Sequence, residues 1–323
     1  MSKEAPLTNK LPTGFVFHPI YKDHIAGVDH PECPERLDAI LNALATEGLE
    51  DQLLKLTPRE ATLEEITACH TPAYVALVRE EIAAGLPQLS TGDTNVSTMS
   101  WKAALLAAGA AETALDLLLE GKLKNAFCAV RPPGHHACPD RGMGFCVFNN
   151  VAIAARYAQR QHKVGKVAII DWDVHHGNGT QDIFYEDGSV FYFSTHLFPW
   201  YPGTGYTEEK GSGKGRGCIM NCPCRAGDGG KEMMPAFTEQ LLPAMEKFKP
   251  ELVLVSAGFD GHEEDPLGRL KLTDADFVEL TRLVLGLARQ YANGHLISLL
   301  EGGYNLETLG KTVAGHIRAL MVA

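Results

Sequence analysis

Positive charge is scarce in this chain. Its 323 residues hold 29 Lys and Arg against 40 Asp and Glu, for a net charge of −11. That argues against a general nucleic-acid binder, which needs a basic surface. It suits a cationic substrate, and equally an ordinary acidic enzyme. Uninterrupted apolar runs of membrane-spanning length are also missing. The alanine- and leucine-rich stretch 98–120 carries Lys102, Glu112, Asp116 and Glu120 and reads as a packed helix. The opening MSKEAPLTNKLPTG lacks the apolar core of a secretory leader. A flexible arm is expected over 1–13, a single domain over 14–323, and a cytoplasmic location. Eight cysteines are present, but Cys222-Pro223-Cys224 is not a CxxC pair and no second pair accompanies it. Neither a disulfide framework nor a structural zinc site is expected, and reduced thiols are. There is no linker, repeat or low-complexity tract.

What is there is a set of apolar runs that end in polar, chemically active residues. Val167-Ala168-Ile169-Ile170 reads as a buried strand and leads into Asp171-Trp172-Asp173-Val174-His175-His176-Gly177-Asn178. Alternation along an extended segment points Asp171, Asp173 and His175 the same way. Oxygen and imidazole donors converging from one side make half of a divalent-metal site. A lone Asp or His there would be a turn or core residue. Burying four such groups without a partner costs several kcal/mol, which favours the metal.

Three further segments supply what this one lacks. Arg131-Pro132-Pro133-Gly134-His135-His136 follows the run 126–130, and adjacent histidines suit proton transfer. The run 252–257 leads through Gly258 and Phe259 to Asp260, a third ligand that leaves open positions for water and substrate. Leu296–Leu300 is followed by Glu301-Gly302-Gly303-Tyr304, where glycines bring a tyrosine close and its phenol can donate to a developing oxyanion. Taken alone, Tyr304 would be an ordinary boundary tyrosine.

Together the segments RPPGHHA, GFCVFNN, DWDVHHGNGTQ, STH, YPGTG, SAGFDGHEEDPLG and EGGYN, with HPECPERL nearer the N-terminus, resemble the zinc-dependent histone deacetylase superfamily. That superfamily includes the acetylpolyamine amidohydrolases, and the RPPGHH and HHGNGTQ spellings are closer to its class II branch. The resemblance implies an arginase-like three-layer αβα fold around a mostly parallel sheet of roughly eight strands. Strand-like segments near 14–18, 126–130, 166–173, 190–195, 252–258 and 295–300 agree with an open sheet whose site lies at the carboxyl ends of its strands. Helices are expected over 34–47, 62–69, 72–84, 98–120, 149–162, 231–248, 273–292 and 305–321.

The resemblance also assigns residues. Asp173, His175 and Asp260 become ligands of one catalytic zinc. His136 becomes the proton carrier, His135 supplies orientation and charge, and Tyr304 is the oxyanion donor. Asp171 is implied to hold His135, and Asn178 to pair with His136 at a position where other branches carry aspartate. Asp171 and Ser194 are implied to surround a structural potassium. Gly144, Phe145, Trp200, Tyr201, Leu267 and Gly302 match the substrate tunnel, Asp93 its rim, and Arg36 an acetate exit. Read as an ordinary residue, Arg36 would be a helix-start arginine paired with Glu32 or Asp38. Leu267 stands where a polyamine-selective relative carries Glu, which leans toward acetyl-lysine peptides or proteins over acetylated polyamines. Neither a nucleic-acid nor a membrane partner is expected, and a homo-oligomer is left open. Two remoter readings are an arginase-type ureohydrolase and a non-catalytic acyl binder. Gly261-His262 after Asp260 leaves a two-metal site incomplete, and no catalytic residue is lost.

Overall fold

The structure is a computed structural model that describes residues 11–322. Eight strands form one sheet: β1 (Thr13–Val16), β2 (Leu54–Leu56), β3 (Asn125–Cys128), β4 (Val167–Asp171), β5 (Val190–Leu197), β6 (Ile219–Cys224), β7 (Leu252–Ala257) and β8 (Leu296–Leu300). Their order is β2-β1-β3-β8-β7-β4-β5-β6, and every pairing is parallel. The central strands are buried on both faces, as parallel strands under two helical layers must be.

The helices are α1 (Glu35–Thr46), α2 (Leu63–Ile66), α3 (Pro72–Ala83), α4 (Ser100–Leu119), α5 (Asn150–His162), α6 (Asn178–Phe184), α7 (Gly230–Pro235), α8 (Leu242–Phe248), α9 (Asp274–Tyr291) and α10 (Leu309–Val322). One layer is built on α4 and α5, the other on α1, α9 and α10. Among the described residues no helix is long and apolar enough to cross a membrane.

Two strands are additions to the six expected from pattern. Both are edges. β2 is three residues long and largely exposed. β6 carries Asn221 and an exposed Pro223, and proline is tolerated on an edge because its missing N–H faces no neighbour. The single helix expected over 231–248 is broken into α7, a π-helical turn (Ala236–Leu241) and α8. Pro235 and Pro243 each remove a backbone donor there. Most of the expected arm lies outside the described residues, and within it Thr13 already pairs with Asn125 in the sheet.

The packing has a consequence for acid stability. His316 of α10 is fully buried and bridges Thr281 Oγ1 (2.6 Å) and Ser298 Oγ (2.9 Å). Burial pushes its pKa from 6.5 down to about 3. The fold therefore favours the neutral ring. Its contribution is complete above pH 6.5 and is lost as the pH falls toward 3. Urea midpoints should fall more steeply below pH 6.5 for the parent than for His316→Gln, and parallel slopes would refute this.

Candidate active site

The central strands β3, β8, β7 and β4 are neighbours, so the segments that follow them meet at one carboxyl edge. β4 stops at Asp171, and the alternation expected beyond it does not continue. Asp173 and His175 face Asp260, while Asp171 stands behind them. It accepts from the backbone N–H of Asp173 (3.1 Å) and the hydroxyl of Tyr192 (3.0 Å), and it lies 3.0 Å from His135 Nδ1.

Asp173, His175 and Asp260 bring one donor atom each within 4.8 Å of one another, and all three are buried. His175 Nδ1 lies 3.1 Å from Asp173 Oδ1 and 3.2 Å from Asp260 Oδ2. Backbone amides hold the carboxylates from behind. Gly302 donates to Asp173 Oδ2 (2.8 Å), His175 to Asp173 Oδ1 (2.8 Å) and Val174 to Asp260 Oδ1 (2.9 Å). Gly302 has to be glycine, because a Cβ there would sit 2.0 Å from Asp260 Oδ2.

The charges fit a divalent cation. Burial raises Asp260 to about 7, helped by Asp173. Burial opposes a charged His175, yet Asp173 and Asp260 outweigh it and push the ring up to about 10. Two buried carboxylates thus share one imidazole, and a dication balances the pair while leaving the ring neutral. Among the described residues this is one compact donor group, without the second acidic set that a two-metal ureohydrolase needs.

The histidine pair lies beside it, with ring centres 4.0 Å apart. Burial opposes charge on His135, but Asp171, Asp173 and Glu301 push it up to about 10. Burial, reinforced by His135 and His175, holds His136 well below its ordinary value. Asn178 Oδ1 lies 2.8 Å from His136 Nδ1. Gly144 passes so close that a Cβ would sit 2.3 Å from His136 Cδ2.

Tyr304 is half-buried, and Arg36 lies over its ring at 4.9 Å. Burial, then Asp260, raises its pKa well above 10, so the phenol keeps its proton. Phe145, in the left-handed region at φ 67°, sets its ring edge-on to Tyr304 at 6.1 Å. Tyr201 stands edge-on to His136 at 5.2 Å and near His175 at 6.1 Å. These two aromatics therefore flank the site. Trp200 does not touch these rings in the same way: its indole donates to the carbonyl of Leu267 (3.1 Å) and Arg269 stacks on it at 4.6 Å. It braces the Leu267 segment, and Leu267 itself is half-buried.

Asp93 is exposed and accepts from the Gly144 N–H (2.7 Å). Arg36 does pair with Glu32 (3.0 Å), but it also donates to the carbonyls of Gly303 (2.6 Å) and Glu301 (2.5 Å). Asp38 pairs with Lys22 instead. Ser194 lies in register beside Asp171, with its hydroxyl 2.8 Å from His196 Nδ1.

Three supporting residues escaped sequence reasoning. Fully buried Glu301 accepts from the N–H groups of Gly134 (2.7 Å) and His135 (3.1 Å), fixing the histidine loop. Tyr192 holds Asp171, and Asp265 accepts from the Tyr304 N–H (2.7 Å). A buried acid directly before Gly302-Gly303 was the available signal for Glu301. Nothing local marks Tyr192.

Comparison with known proteins shows which family the chain resembles. A model of the histone deacetylase domain matches residues 30–320. A probable deacetylase of Archaeoglobus fulgidus is 41% identical over 95% of this chain and 86% of its own length. The human polyamine deacetylase HDAC10 is 41% identical over 91% of this chain, which spans 45% of that protein. The crystal structure of the HDA15 HD domain superposes with a TM-score of 0.91 at 38% identity, covering 97% of this chain and 88% of that one. Matched in sequence over most of its length and in fold over nearly all of it, the chain belongs to the histone deacetylase family and is a deacetylase, a hydrolase of amide bonds.

Proposed function

We propose that this deacetylase removes acetyl groups from acetyl-lysine side chains of peptides or proteins. The observation that carries the reading is the buried Asp173–His175–Asp260 group facing His135, His136 and Tyr304, with Phe145 and Tyr201 on its flanks. Zinc held by those three ligands would polarise the acetyl carbonyl and lower the pKa of a water molecule.

The chain's own groups do the rest. His136, kept neutral by burial, takes the proton of the attacking water and returns it to the leaving amine. His135, anchored by Asp171, contributes charge and orientation. Tyr304 donates its phenolic hydrogen bond to the carbonyl oxygen as that atom gains charge. Phe145 and Tyr201 enclose the methylene stem of the lysine, which is itself apolar. Asp93 at the rim accepts from substrate backbone amides, and Arg36 lies toward the path by which acetate leaves. Asp171 and Ser194, side by side on β4 and β5, are suited to a structural potassium.

Acetylated polyamines are the second reading, since a relative named for them is as similar as any other named above. Leu267 argues against it, because leucine offers no anchor for a second ammonium. Parallel assays of an acetyl-lysine peptide, acetylputrescine and acetylspermidine decide the matter. Turnover of the peptide well above the amines is expected, and turnover of the amines alone would overturn the assignment.

A further inference from the structure

For Asn178 Oδ1 to bond His136 Nδ1, the ring must carry its proton on Nδ1 and keep Nε2 as an acceptor. An aspartate at this position would accept through either oxygen. An amide has two orientations, and only one of them selects this tautomer. Turned over, the NH₂ group would face Nδ1, move the ring proton to Nε2 and abolish the base.

Two sulfurs hold the amide. Asn178 Nδ2 donates to Cys138 Sγ at 3.2 Å and Met143 Sδ at 3.4 Å, with the His136 carbonyl at 3.5 Å. A thioether has no proton to give, so Met143 accepts from the amide NH₂ but would meet a turned amide oxygen lone pair to lone pair. The Cys138 thiol points its own proton toward Asp182 Oδ2 (3.5 Å) or the His136 carbonyl (3.6 Å), which leaves its lone pairs for Asn178. Asp182 is one turn along α6 from Asn178, so a single helix face presents both partners. Burial, then Asp182, pushes this thiol up to about 12 and keeps it protonated.

We propose that Cys138 and Met143 are positioning residues that lock the Asn178 amide in the orientation that makes His136 a base. The proposal rests on the role given to His136 above.

A double-mutant cycle tests it. Cys138→Ala with Met143→Leu is introduced into the parent and into Asn178→Asp, with zinc content and melting temperature as controls. In the parent, kcat on the acetyl-lysine peptide should fall on the order of tenfold, the worth of about one hydrogen bond, with KM unchanged. In the Asn178→Asp background, where no lock is needed, the same pair should change kcat by less than about twofold. Cys138→Ser, which keeps an acceptor, should restore most of the loss relative to Cys138→Ala. Equal losses in both backgrounds would assign the sulfurs to packing and overturn the lock. Met143→Leu alone conserves volume and keeps the test open should the double variant fail to fold. In that variant the ¹⁵N resonances of His136 should show a growing Nε2–H tautomer, and an unchanged tautomer would refute the proposal. A fully active His136→Ala would instead refute the underlying reading of the base.

Discussion

Replacing Tyr304 by phenylalanine lowers kcat on an acetyl-lysine peptide by ~10²–10³-fold, the usual loss for one oxyanion donor. KM and zinc content change little. The ring stays where it is, because what fixes it does not involve the hydroxyl. Asp265 grips the Tyr304 backbone N–H, Arg36 lies over the ring, and Phe145 meets it edge-on. The lost oxygen therefore removes an interaction that strengthens only as the carbonyl becomes an oxyanion, and such a loss falls on kcat. Steady-state kinetics beside zinc analysis check the split. A variant with parental kcat would show that the carbonyl oxygen finds its donor elsewhere.

His136→Ala should cost ~10²–10⁴-fold in kcat, the range for a positioned general acid–base. Its environment differs from that of His135. His135 faces the carboxylates of Asp171 and Asp173, which outweigh its burial and hold it protonated. His136 is kept neutral by burial, helped by the protonated His135 beside it, and its Nδ1 faces an amide. Only the neutral ring can accept a proton from water. His135→Ala should lose less, since a base remains in place. Equal kcat losses in the two variants, with zinc retained, would show that the pair does not divide the work as assigned.

Much of the site was legible because its residues sit at the ends of buried strands, where a carboxylate or imidazole needs a partner to justify its burial. That argument makes Asp171, Asp173, His175 and Asp260 candidates, the family resemblance implies the last three as ligands, and the structure brings the donor atoms of those three together. Asp171 was grouped with them by alternation, which fails once the strand ends at Asp171 itself. β2 and β6 escaped because edge strands carry weak apolar patterns, a short Leu54–Leu56 in one case and Pro223 in the other. Glu301 and Tyr192 escaped for a different reason. Their partners lie 166 and 21 residues away in the chain, and only the folded sheet sets them side by side. The role of Trp200 likewise depends on where Leu267 and Arg269 arrive in space.

The central claim is that three residues, Asp173, His175 and Asp260, hold the metal on which hydrolysis depends. The measurement that tests it most directly is turnover of a fluorogenic acetyl-lysine peptide by chelator-stripped enzyme as zinc is titrated back. Activity should vanish on stripping and return in full at one zinc per chain, with Asp260→Asn showing no such return. Undiminished turnover by the stripped enzyme would contradict the claim.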